Sequence, residues 1–272
     1  MFLINGESGD SLSIQDRGLH YGDGVFETIA VNKGNLLCWD KHYERLQRGC
    51  QLLDFTCPAK ELLQNEAQQV ITDSKEVLKI ILTRGVGGRG YNPPQQITPT
   101  RIVANYVWPD YSDEQVKEGV KVRICDFRLG FNPKLAGIKH LNRLEQVLAR
   151  NEWTDMEIAE GLMLDQDDNI IEGTMSNIFM VQGNKLITPD LSQCGIDGII
   201  RQYIIELAPE LDMHIEIRTV KQDELFSAEE LFLCNSTFGL WPVRELEGKQ
   251  INQGPYATKI RKALIKNETI CA

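Results

Sequence analysis

Short β-forming runs and amphipathic helical stretches are interspersed along the whole chain, without the strict strand–helix alternation of a doubly wound parallel sheet. This pattern points to a mixed, antiparallel-rich α+β architecture. Residues 2–4 and 11–14 read as a hairpin around the glycines at 6 and 9. Residues 25–31 alternate and are rich in β formers, Asn32-Lys33-Gly34-Asn35 makes a turn, and residues 36–39 return. Asp40 is placed to cap a helix with Tyr43, Leu46, Cys50 and Leu53 on one stripe. A second helix covers 59–72, and residues 77–83 and 101–107 read as strands paired around a long Gly/Pro loop. The polar phrase Trp108-Pro109-Asp110-Tyr111-Ser112-Asp113-Glu114 marks a linker. The expected division is a smaller domain over 1–108, a linker over 109–118 and a larger domain over 119–272.

In the larger domain a strand at 120–125 precedes a helix expected to begin at Lys139, with Leu141, Leu144, Val147 and Leu148 on one face. Strands follow at 161–164 and 176–181, a helix from Gly198 to about residue 207, a strand at 215–219, a short helix, a strand at 230–234 and a final helix.

Of the 272 residues, 42% are hydrophobic and 25% charged, as in an ordinary soluble globular protein. The net charge of -10 argues against general nucleic-acid binding, which needs a positive field. It still permits an anionic small molecule, because a few local arginines can dominate a pocket. The start Met1-Phe2-Leu3-Ile4-Asn5-Gly6-Glu7 has neither the basic nor the long apolar region of a signal peptide. No apolar run approaches the roughly 20 residues of a spanning helix. Seven scattered cysteines without a C-x-x-C pair fit a reduced, cytoplasmic compartment. The four histidines show no ligand spacing, and no metal site is expected.

Two phrases carry the chemistry. Leu135-Ala136-Gly137-Ile138-Lys139-His140-Leu141-Asn142-Arg143 places a lysine where a loop gives way to a helix. Ile170-Ile171-Glu172-Gly173-Thr174-Met175-Ser176-Asn177 places a carboxylate at a strand end, before a turn of small residues. An amine that can form an imine and a carboxylate that can keep a ring nitrogen protonated are what pyridoxal phosphate requires. A lone lysine is ordinarily a solvated surface charge, so the weight rests on the combination.

Other motifs are weaker. Gly85-Val86-Gly87-Gly88-Arg89-Gly90 matches G-x-G-x-x-G, but Tyr91-Asn92-Pro93-Pro94 follows, and Pro94 forces Pro93 out of the α region. Without a helix there is no dinucleotide site. The phrase is either a flexible hairpin tip or a substrate loop in which Arg89 binds an anion. Gln193-Cys194-Gly195-Ile196-Asp197-Gly198-Ile199-Ile200-Arg201 runs from a glycine-punctuated turn into a helix. Its amides suit a phosphate, and Asp197 could equally be a plain cap. Arg45, in His42-Tyr43-Glu44-Arg45-Leu46, could pair with a surface carboxylate or fork onto a phosphate. Asn235-Ser236-Thr237 is a polar turn suited to oxyanion contacts.

Together, and in this order, these phrases resemble the fold-type IV family of pyridoxal-phosphate enzymes. That family holds branched-chain aminotransferases, D-amino acid aminotransferases and 4-amino-4-deoxychorismate lyases. Met1-Phe2-Leu3-Ile4-Asn5-Gly6, Tyr21-Gly22-Asp23-Gly24, Arg84 through Tyr91 and Leu135 through Ala149 are most similar to the lyase branch. The resemblance implies a smaller N-terminal α/β sandwich domain, a larger C-terminal pseudo-barrel domain and a homodimer. It implies pyridoxal 5'-phosphate linked to Lys139, with its ring nitrogen on Glu172. Its phosphate would lie on Arg45, the main-chain amides of Ile199 and Ile200, and Ser236, and Ser176 and Asn177 would line it. Thr28, Arg89 and Tyr91 would face the substrate, 4-amino-4-deoxychorismate, whose products are 4-aminobenzoate and pyruvate.

Two departures weaken the transaminase alternatives. Branched-chain aminotransferases carry tyrosine five positions after the lysine, where this chain has Leu144. D-amino acid aminotransferases carry an R-x-H carboxylate trap, where this chain has Arg89-Gly90-Tyr91. Ile200 also stands where many transaminases have threonine, which leaves a main-chain contact but no hydroxyl. A cofactor-free binding protein on the same scaffold is the remaining alternative.

Overall fold

The computed structural model describes residues 1–271. It divides into two compact units. The first comprises Met1–Pro109 and Ile138–Asn142, and the second comprises Asp110–Gly137 and the chain from Arg143 onward.

The first unit contains β1 (Phe2–Ile4), β2 (Glu7–Ser8), α1 (Arg17–Tyr21), β3 (Gly24–Asn32), β4 (Asn35–Leu36), α2 (Trp39–Leu52), α3 (Lys60–Val70), β5 (Glu76–Thr83) and β6 (Thr100–Val107). The strands form one antiparallel sheet in the order β2-β1-β6-β5-β3-β4. The partner of β1 is Glu7–Ser8, not the expected 11–14. Asn5 and Gly6 both adopt positive φ, 54° and 88°, as a two-residue hairpin turn demands, so the chain reverses at once. Residues 38–39 do not continue the return strand. Cys38 takes φ 55° as the N-cap of α2, which leaves Asp40 in the first turn, where its charge favours the helix dipole. One face of the sheet is closed by α2 and α3 through Leu46, Cys50, Leu63 and Ala67, packed with Val25, Ile29, Leu78 and Val103. Gly49 permits this approach, since a Cβ there would lie 2.7 Å from Val25 Cγ1.

Residues 139–141 run beside β3, joined to it by an isolated antiparallel bridge between His140 and Val25. The Phe26 amide donates to the Lys139 carbonyl (2.9 Å), and the Leu141 amide donates to Gly24 (3.0 Å). Lys139 is therefore not on a helix, because bonds to β3 occupy the main chain that a helix would need.

The second unit contains α4 (Asp113–Lys117), β7 (Val120–Leu129), α5 (Leu144–Arg150), β8 (Ile158–Asp165), β9 (Asn169–Gly173), β10 (Asn177–Gln182), β11 (Lys185–Pro189), α6 (Ile199–Leu207), β12 (His214–Arg218), β13 (Val220–Lys221), α7 (Gln222–Leu225), β14 (Glu230–Asn235), β15 (Gly239–Leu246), β16 (Lys249–Gln250) and α8 (Pro255–Lys266). Ten strands make a mixed sheet in the order β12-β11-β10-β14-β15-β7-β8-β9-β13, with β16 on β15. Near one end of this path, β9 also packs against β10 and β11 from the other end, which curls the sheet into a barrel-like form. The polar 109–118 segment holds α4, started by a capping box between Ser112 and Gln115. The expected apolar face of α5 does not enter the core: Leu144, Val147 and Leu148 are 75%, 52% and 51% exposed.

Candidate active site

In the first unit the alternation of β3 sends Val25, Glu27, Ile29 and Val31 to one buried face. A carboxylate on that face must be paired, and α2 supplies the partners. Arg45 turns inward, away from its surface neighbours. Its Nε donates to Glu27 Oε1 (2.8 Å) and its Nη2 donates to Oε2 (2.6 Å). His42 Nδ1 lies 2.7 Å from the same Oε2. Because an ionised carboxylate can only accept, Nδ1 carries the proton. Burial favours a neutral imidazole and outweighs the pull of Glu27, so the His42 pKa is lowered. Burial alone would raise the Glu27 carboxyl, but Arg45 and His42 hold it at about 2.

The folded-state pKa of Glu27 thus lies below its ordinary 4.5. Stability from this pairing is present above pH 4.5 and is lost as pH falls toward 2, amounting to roughly 3 kcal/mol. The stability difference between wild type and Glu27→Gln, measured by urea unfolding, should shrink across that window. A difference that stays flat there would contradict the ion pair. Arg45→Ala should destabilise by about 3–5 kcal/mol at neutral pH, because it strands a buried charge.

On the opposite face of β3, Phe26 and Thr28 are partly buried. Lys139 Nζ lies 4.5 Å from the Phe26 ring centre and Lys79 Nζ lies 5.1 Å from it. Lys79 is opposite Thr28 in the sheet. Arg89 and Tyr91 are exposed in the glycine-rich loop between β5 and β6, and no helix follows that loop.

In the second unit Glu172, Asn177, Ile199 and Ile200 lie around the loop from Gly195 to Gly198. Glu172, near the end of β9, is 3% exposed and accepts from the Ile196 amide (2.8 Å). Gly195 makes that approach possible: its φ is +89°, and a Cβ there would lie 2.8 Å from Ile171 Cγ2. The Gly137 amide donates to Gly195 (2.9 Å), and the Asp197 amide donates to Gly137 (3.2 Å). The main chain at Gly137 is thus stitched to the loop that holds Glu172. Arg143 adds a favourable charge interaction with Glu172. Asn177 Nδ2 donates to the Ile196 carbonyl (2.9 Å), and a Cβ on Gly198 would meet Asn177 Oδ1 at 2.0 Å.

Gly198 is the N-cap of α6, so Ile199 and Ile200 are buried in its first turn, where amides lack intrahelical acceptors. Asp197 instead pairs with Arg201 (2.8 Å). Ser236 lies in the turn after β14, which Asn235 braces by accepting from the Thr237 and Phe238 amides (2.9 Å each).

Sequence reasoning missed Glu27 and Glu160. Glu27 announces itself only as a charge at an inward position of an alternating strand. Glu160, fully buried on β8, accepts from the Thr174 amide (3.0 Å), Thr174 Oγ1 (2.5 Å), the Met175 amide (3.1 Å) and Ser176 Oγ (2.8 Å). It fixes the turn after Glu172, and its pKa is raised by burial against these donors. The Ser176 hydroxyl proton is therefore directed at Glu160. Among the described residues no group of three or more His, Cys, Asp or Glu side chains is placed to hold a metal ion. No helix there is long and apolar enough to cross a membrane.

Residues 24–246 match the amino-transferase class IV family, and the chain belongs to that family. It is 34% identical to the aminodeoxychorismate lyase of Vibrio harveyi over 244 residues, covering 89% of this chain and 90% of that one. It is 27% identical to the D-alanine aminotransferase of Bacillus licheniformis, over 96% of this chain and 95% of that one. It superposes with a TM-score of 0.94 on the 4-amino-4-deoxychorismate lyase from Pseudomonas aeruginosa, at 40% identity, covering 99% of this chain and 100% of that one. For the Escherichia coli branched-chain amino acid aminotransferase the TM-score is 0.87, at 25% identity, covering 98% and 94%. The fold is the two-domain α+β fold type IV.

Proposed function

We propose that this chain is a pyridoxal-phosphate-dependent lyase that converts 4-amino-4-deoxychorismate to 4-aminobenzoate and pyruvate, a step toward folate. The observation that carries this reading over a transaminase is the full-length likeness to the Pseudomonas aeruginosa lyase, at 40% identity. Leu144 and the Arg89-Gly90-Tyr91 phrase, which depart from the transaminase patterns, agree with it.

The donor set suits the cofactor. Glu172 is a buried acceptor for a ring N–H, and α6 opens on Gly198, where Asn177 leaves no room for a Cβ. In this reading the first-turn amides at Ile199 and Ile200, with Arg45 and Ser236, bind the phosphate. Ser176 and Asn177 line the ring, and Lys139 supplies the amine. When bound, pyridoxal phosphate serves as an electron sink for the carbon next to the substrate nitrogen.

Lys139 Nζ then moves the protons. It takes one from the ring carbon that bears the amine and returns one to the enolpyruvyl methylene, whereupon the C–O bond breaks and pyruvate leaves. One proton is removed and one returned, nothing is oxidised or reduced overall, and aromatisation drives the step. A lysine acts as a base near neutral pH only where burial or a neighbouring cation favours its neutral form. Glu172 holds the proton on the ring nitrogen throughout. Thr28, Arg89 and Tyr91 contact the substrate, with Arg89 on one of its two carboxylates.

A cytoplasmic homodimer completes the reading. The exposed stripe of Leu144, Val147 and Leu148 supports it, since a stripe of this kind is expected to be covered.

The test is to incubate the cofactor-loaded protein with aminodeoxychorismate and assay both products. Equal amounts of 4-aminobenzoate and pyruvate are expected. Faster keto-acid release from D-alanine or a branched-chain amino acid would establish a transaminase instead. A colourless protein inert to borohydride would mark a cofactor-free binding protein.

A further inference from the structure

We infer that Arg17 and Tyr21 are positioning residues that clamp the loop carrying Arg89 and Tyr91, and so set the affinity for the substrate. The inference rests on the reading of Arg89 as a substrate contact. Arg17 is 4% exposed, although it stands beside a glycine-rich loop. Its Nε donates to Asp23 Oδ2 (2.8 Å), its Nη1 donates to the Gly90 carbonyl (2.9 Å) and its Nη2 donates to the Tyr91 carbonyl (3.0 Å). Asp23 is itself fixed by Arg84, whose Nε donates to the same oxygen (2.8 Å). The Tyr21 hydroxyl accepts from the Gly90 amide (2.9 Å), and the Tyr21 ring lies 5.5 Å from that of Tyr91. The Arg17 guanidinium stacks 4.8 Å from the Tyr21 ring centre.

The main chain immediately after Arg89 is thereby held, while the Arg89 side chain is left exposed. The glycines are what this clamp needs. Gly90 has φ +102°, and a Cβ on Gly87 would lie 2.5 Å from Arg17 Cδ. Three hydrogen bonds are directed at two successive residues, and a carboxylate pair anchors the guanidinium that makes two of them. A loop needed only as a connection has no use for such a buried anchor. A loop that must present one cation to an anionic ring in a fixed place does.

Tyr21→Phe removes a single acceptor and keeps the ring, and Arg17→Lys keeps the charge but loses the fork. Each is made in the wild-type and Arg89→Ala backgrounds and tested as holoenzyme with aminodeoxychorismate. Tyr21→Phe should raise KM roughly five- to tenfold, the equivalent of one hydrogen bond. It should leave kcat and the cofactor spectrum unchanged, and it should speed tryptic cleavage after Arg89. In the Arg89→Ala background the KM effect should vanish, since the clamp acts through that side chain. Arg17→Lys should show the same pattern with a larger rise. Unchanged KM and cleavage in both variants, or KM effects that simply multiply with that of Arg89→Ala, would overturn the clamp. If Arg89→Ala alone leaves KM unmoved, the assignment of Arg89 to the substrate fails, and the cleavage rate still decides whether the loop is clamped.

Discussion

Lys139→Ala is expected to abolish formation of both 4-aminobenzoate and pyruvate, a loss greater than roughly 10⁴-fold, because one amine serves as attachment point and as proton carrier. The substitution is a clean one. The main chain at 139 is held by hydrogen bonds to β3 that involve no side chain, so alanine should keep the fold. Thermal unfolding within a few degrees of wild type would confirm this. Lys79 is the other amine beside Phe26, and it projects from β5, a different segment. Borohydride should no longer fix the cofactor to the chain. A variant that retains near wild-type product formation would sink the assignment.

Glu172→Gln should leave the cofactor bound and slow turnover on the order of 10²–10³-fold, the usual cost of removing one preorganised electrostatic partner. The amide oxygen can still accept from the Ile196 amide, which Glu172 accepts at 2.8 Å, so the loop from Gly195 to Gly198 should keep its shape. What is lost is the negative charge that holds a proton on a ring nitrogen. Steady-state kinetics on protein whose cofactor content is checked by absorbance separates the two effects. Unchanged turnover at full occupancy would show that Glu172 is not the ring partner. Loss of the cofactor would show that its role is binding.

The phrases around Lys139 and Glu172 stand out in the sequence because their signal is local: an amine and a carboxylate, each beside a glycine-bearing turn. The strand end at Glu172, the helix opening after Gly198 and the absence of a helix after Gly90 follow from glycine and proline at those positions. The path of Lys139 did not follow from local signals. Its neighbours have helical spacing, yet the main-chain groups of residues 139 and 141 bond to β3, and α5 waits until Leu144. The apolar spacing of Leu144, Val147 and Leu148 gave the correct helix face and the wrong environment, since that face is exposed.

By itself the sequence determined the mixed α+β character of the chain and named the candidate residues for its chemistry, since these depend on residue type and on periods of two and 3.6. Tertiary structure alone decided the partners. Arg45 meets Glu27 from a neighbouring element, Glu160 reaches the turn after Glu172 from another strand, and Arg17 holds carbonyls 73 and 74 residues away. Periodicity assigns a side chain to a face, but the register between faces comes from packing the core around them. Only that packing brings a particular charge to the particular group that must satisfy it.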